Sequence, residues 1–151
     1  MCQIIGRKQE IAELNRVFES GRAEFVAVYG RRRVGKTFLI NEVFRDNMTF
    51  QHTGLSPYDR TRKVTLRDQL KNFHFSLVRH GMEGGEAPRS WMEAFFRLEQ
   101  FLERQDNGTR QVVFIDELPW MDTPRSGFLT ALEALWHGWA CSRHNLCFVV
   151  C

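Results

Sequence analysis

Phe25-Val26-Ala27-Val28-Tyr29-Gly30-Arg31-Arg32-Arg33-Val34-Gly35-Lys36-Thr37 is the stretch that decides the fold. Five apolar residues read as a buried strand ending at Gly30, and a short helix is expected from Gly35 to about Arg45. Between them lies G-x-x-x-x-G-K-[ST], a spacing that this composition would produce by accident in only about 0.2% of such chains. The glycines let successive backbone N–H groups converge on an anion, and the helix N-terminus adds its positive end. The cradle therefore comprises Gly30, Arg31, Arg32, Arg33, Val34, Gly35, Lys36, Thr37 and Phe38. Lys36 is placed to neutralise β- and γ-phosphates and Thr37 to ligate Mg²⁺ through its hydroxyl. The backbone amides of Arg31, Arg32 and Arg33 face the phosphates; their side chains are expected to point outward as a solvated basic rim.

Such a cradle needs a carboxylate from another strand on the metal side. Val112-Val113-Phe114-Ile115-Asp116-Glu117 supplies four apolar residues and then two acids at a strand's carboxyl end, the edge at which open α/β sheets bind ligands. Asp116 is expected to hold Mg²⁺, directly or through water, and Glu117 to orient or activate the attacking water. The flanking residues exclude other nucleotide chemistries. Asp116-Glu117-Leu118-Pro119 is not the Asp-x-x-Gly of small GTPases, and neither Asn-Lys-x-Asp nor Leu-Ser-Gly-Gly occurs. An acid directly after the metal-side Asp favours ATP hydrolysis over phosphoryl transfer to a small molecule.

Around these two segments strands alternate with helices. Ile11, Leu14, Val17 and Phe18 follow a helical period between Lys8 and Ser20, and Thr49–Thr53 reads as a strand. Leu66, Leu70, Phe73 and Leu77 form one amphipathic stripe; Trp91, Phe95, Leu98 and Leu102 form a second, opened by a capping box of Ser90 and Glu93. Phe128, Leu132, Leu135 and Trp139 form a third, and Leu146–Cys151 is a final strand. Strands apolar on both faces, separated by helices, predict an α/β fold in which helices sandwich a parallel β-sheet.

The whole chain has 151 residues, 43% hydrophobic and 26% charged, which suits one globular domain. Its longest apolar run is the six residues Leu146–Cys151, far short of the roughly 20 that span a bilayer, so no membrane partner and a cytoplasmic location are expected. A net charge of +3 is too balanced to argue for nucleic-acid binding, and no basic–aromatic stripe stands out. His137, Cys141, His144, Cys147 and Cys151 lack the close-spaced pairs of a zinc site, and Cys147 and Cys151 are taken as free core thiols.

The two motif segments, together with Ile4-Ile5-Gly6-Arg7-Lys8-Gln9-Glu10-Ile11 and the ensuing Leu118-Pro119-Trp120, resemble the archaeal-type ATPase domains of the AAA+/STAND group of P-loop ATPases. The Arg triplet inside the loop is specific to that family. The resemblance implies a sheet of order 5-1-4-3-2 in which Leu146–Cys151 inserts between the two motif strands. It implies ATP and Mg²⁺ as cofactors, Ile5, Gly6 and Arg7 beside the adenine (an ordinary exposed Arg7 being the alternative), and Trp120 packed under the loop. Family members continue with a sensor segment, a fifth strand, a helical lid and usually a further domain. Residues 1–151 are thus expected to be an ATPase core truncated before those parts, with an effector domain, and any DNA or protein partner it binds, missing. Two alternatives stay open: a nucleotide-gated switch with little turnover, and a DNA-binding initiator-like ATPase.

Overall fold

A computed structural model describes residues 8–29, 35–58 and 61–151. In chain order the elements are α1 (Lys8–Phe18), β1 (Glu24–Ala27), α2 (Lys36–Val43), β2 (Met48–Thr53), α3 (Leu66–Arg79), α4 (Trp91–Gln105), β3 (Gln111–Asp116), α5 (Leu118–Met121), α6 (Phe128–Gly138) and β4 (Leu146–Val150). The four strands form one sheet in the order β1-β4-β3-β2, and every neighbouring pair is parallel. The last strand therefore inserts between the two motif strands, as expected.

Side-chain alternation along β3 and β4 divides the core in two. Val112 and Phe114 of β3, with Cys147 and Val149 of β4, pack against Leu14, Val17, Leu39 and Ile40 of α1 and α2. Val113 and Ile115, with Leu146, Phe148 and Val150, turn to the opposite face and meet α3, α4 and α6. Every residue of both strands is buried, which is why their sequence is continuously apolar rather than alternating. An aromatic nest centred on Phe73 fills the second layer, with Trp91 and Phe95 each edge-on to it at 5.6 Å.

The reading of β1 as a fully buried strand is corrected. It sits at the end of the described sheet, its residues alternate between half-buried and exposed, and it ends at Ala27. Val28 still donates to the Val150 carbonyl at 2.8 Å, but Tyr29 is 89% exposed. Phe25, paired with Phe148 of β4, stacks on that ring at 5.6 Å and meets Trp136 edge-on at 5.4 Å.

Helix ends follow capping chemistry. Ser90 accepts the Glu93 N–H at 3.1 Å, yet the Glu93 carboxylate accepts from Arg89 N at 3.0 Å rather than from Ser90, so that box is only half formed. A complete box opens α3 instead: the Thr65 hydroxyl takes the Asp68 N–H, and the Asp68 carboxylate takes the Thr65 N–H. Trp139 continues the apolar stripe from just beyond the end of α6, packing against the core that holds Phe128, Leu132 and Leu135. It caps the helix, its ring N–H donating to Glu103 at 2.9 Å, with the Arg143 guanidinium 4.8 Å above its face.

His52, on β2, is buried with its Nδ1 2.7 Å from the Ser76 hydroxyl and its Nε2 without a partner among the described residues. Burial pushes the imidazole down to about 3, with Arg79 and His80 adding to the effect. A base whose folded pKa lies below its unfolded 6.5 stabilises the fold fully above pH 6.5 and progressively less as pH falls toward 3. We expect urea unfolding of the wild type to lose stability over that window more steeply than His52→Gln, by up to about 1.4 kcal/mol per pH unit. Equal slopes would show that His52 is not held neutral.

Candidate functional site

Parallel pairing puts the carboxyl ends of β1, β3 and β4 on one edge, and α2 begins there. Gly35 caps that helix in a left-handed conformation (φ 77°), which a glycine adopts without strain. Lys36 and Thr37 form the first turn. The Thr37 hydroxyl donates to Asp116 Oδ2 at 2.5 Å, joining the two motif segments. Asp116 is 7% exposed, and its other oxygen accepts the Glu117 N–H at 2.9 Å. Both carboxylate oxygens are thus engaged from the protein side. A hydroxyl that spends its proton on Asp116 keeps its lone pairs for a cation, and hydroxyl and carboxylate oxygens are the hard donors magnesium prefers.

A cleft of about 450 Å³ opens at this point, lined by Lys36, Thr37, Phe38, Asp116, Glu117 and Cys151 among others. Glu117 is one of two non-glycine residues with positive φ among the described residues (55°), and it caps α5. Its position is braced from below. Gly54 donates to the Asp116 carbonyl at 3.0 Å, and Leu118 donates to the Cys151 carbonyl at 2.9 Å. The buried Gln69 amide donates to the carbonyls of Leu55 (2.8 Å) and Trp120 (3.2 Å), clamping the loop after β2 to α5.

The structure thus brings together Gly35, Lys36, Thr37, Phe38, Asp116 and Glu117. Gly30, Arg31, Arg32, Arg33 and Val34 lie outside the described residues, as do Ile5, Gly6 and Arg7. Three contributors escaped sequence reasoning. Gln69 and Gly54 act through backbone carbonyls, which no motif records. Cys151 is half-buried on the cleft rather than inside the core; burial pushes its thiol up to about 11, the nearby Asp116 adding to the effect and Lys36 opposing it. Cys147 is a core thiol, also raised to about 11 by burial.

Residues 4–151 match the model of a family described as an ATPase domain predominantly from Archaea. The chain belongs to that family. Membership brings with it ATP binding and P-loop ATPase character. An uncharacterised ATP-binding protein of Methanocaldococcus jannaschii is 37% identical over 55 residues, 36% of this chain and 92% of that relative. Among solved structures, the Walker-type ATPase of Pyrococcus abyssi superposes on 97% of the archaeal-type domain with a TM-score of 0.64 at 20% identity. The ORC2 protein of Aeropyrum pernix covers 98% with a TM-score of 0.57 at 15% identity. At such identities these two establish the fold: parallel strands layered with helices as in AAA+ P-loop ATPases. The chain spans 45% and 41% of their respective lengths. No helix among the described residues is long and apolar enough to cross a membrane.

The brace under Glu117 has a steric test. A Cβ at Gly54 would fall 2.8 Å from the Glu117 carbonyl oxygen and 3.0 Å from Met121 Cγ. Gly54→Ala should therefore cost about 1–3 kcal/mol in urea unfolding, as overpacking does. An unchanged midpoint would mean that the Glu117 turn gives way freely.

Proposed function

We propose that this ATPase domain hydrolyses ATP in a Mg²⁺-dependent reaction, and that its nucleotide state drives a conformational change in a regulatory or effector region. The observation that carries the reading is the 2.5 Å hydrogen bond from Thr37 to Asp116, two residues 79 positions apart. Thr37 and Asp116 would hold the magnesium, which when bound offsets charge on the β- and γ-phosphates. Lys36 and the amides at the start of α2 bind those phosphates, and the cradle from Gly30 to Val34 wraps them. On the family resemblance, Ile5, Gly6 and Arg7 would contribute to the adenine side. Glu117 orients the attacking water and accepts its proton. The left-handed turn at Glu117, held by Gly54 beneath it, supports that role because it starts the carboxylate from a fixed backbone position.

Two substitutions separate binding from turnover. Lys36→Ala should abolish measurable ATP·Mg²⁺ binding in calorimetry. Glu117→Gln should keep the affinity and slow phosphate release by about 10²–10⁴-fold. Loss of binding in Glu117→Gln would overturn the assigned role. Wild-type turnover no faster than that of Glu117→Gln would favour a nucleotide-gated switch over an ATPase.

A further inference from the structure

α3 has a second face that the ATP reading does not use. Its inner residues Leu70, Phe73 and Leu77 enter the core, while Arg67, Lys71, Phe75 and Arg79 recur every four residues on its exposed side. Across from its first turns, the segment before α4 brings up Arg89 and Glu86, closing a cleft of about 820 Å³ that includes Leu66, Leu70 and Pro88. A second cleft of about 410 Å³ shares Lys71 with the first and is lined by Tyr58 and Phe75. These two rings are 72% and 44% exposed, and the Lys71 ammonium lies 5.8 Å from the Phe75 centroid.

The surface is built rather than incidental. Tyr58 bridges antiparallel to Lys63, and Val64 donates to the Pro57 carbonyl at 2.8 Å. Arg62 then grips Asp68 with both terminal nitrogens, at 2.6 and 3.0 Å. Asp68 is also the N3 member of the α3 capping box, so Arg62, next to the bridge of Tyr58 and Lys63, is tied to the first turn of the helix. The Arg62 hydrogen bond, aided by the Thr65 amide, holds the Asp68 carboxyl far below the usual carboxylate range and keeps that lock ionised. By contrast, Arg67 and Lys71 form no ion pair with another described residue, while Arg89 shares the nearby Glu93 carboxylate with Arg97. In the larger cleft three cations face the single acid Glu86.

We propose that these two adjacent clefts together bind single-stranded nucleic acid. Cations beside an apolar lining suit a phosphate backbone, and the two exposed rings of the neighbouring cleft, which Lys71 also lines, suit unstacked bases. An acidic peptide would satisfy the cations and leave the rings idle. The site lies apart from the ATP cleft, so it stands or falls separately from the function proposed above.

The test is fluorescence anisotropy of a labelled oligothymidylate of about 16 nucleotides, in EDTA and without ATP. The double variant Arg67→Ala/Lys71→Ala should bind at least about tenfold more weakly and lower the slope of log affinity against log salt by roughly 1.4. Tyr58→Ala/Phe75→Ala should lose about tenfold with the salt slope unchanged. Arg104→Ala, on the exposed side of α4, should stay within about twofold of wild type. Circular dichroism checks that each variant is folded. No binding by the wild type, affinities untouched by both double variants, or displacement by polyglutamate at equal charge would overturn the proposal.

Discussion

A hydroxyl and a carboxylate 79 positions apart meet at 2.5 Å, and the rest of the structure is arranged to let them. Parallel pairing is the constraint behind it. Because β4 lies between β1 and β3, with all three pointing the same way, their carboxyl ends share one edge. α2 begins at that same edge. A left-handed glycine at position 35 caps it, and Thr37 arrives opposite Asp116.

Holding the carboxylate in place takes more than the strand it ends. Asp116 is nearly buried, and one of its oxygens is fixed by the next residue's own amide. The following residue occupies a conformation that costs a non-glycine side chain energy, of order 1 kcal/mol or more. Strain of this kind persists only where the surroundings impose it. Here Gly54 fills the space beneath Glu117 with no side chain, and Gln69 ties the neighbouring loop to the short helix that follows.

Much of this was legible in the sequence, for physical reasons that differ by element. β3 and β4 are buried on both faces, so their unbroken apolar runs at Val112–Ile115 and Leu146–Val150 announced them plainly. The stripes of α3 and α4 were equally clear. β1 was harder: its apolar run also reads as a buried strand, but it lies at the end of the described sheet with β4 as its one described neighbour, and Phe25 stays partly exposed beside Phe148 and Trp136. Thr65 and Asp68 show that a capping box is recognised only when its serine or threonine is tried at the right register. The basic outer face of α3 was hidden because its cations alternate with the core stripe, while Tyr58 and Arg89 join it from distant segments. A composition near charge balance conceals a local surplus of that kind.

The central claim is that Thr37 and Asp116 act as one unit around a single magnesium ion. A double-mutant cycle on ATP·Mg²⁺ affinity with Thr37→Ala, Asp116→Asn and the pair measures this directly. The account predicts strong non-additivity: the second substitution costs far less once the first is present, with a coupling of about 0.5–3 kcal/mol. Effects that simply add, as for two sites with no shared partner, would contradict it.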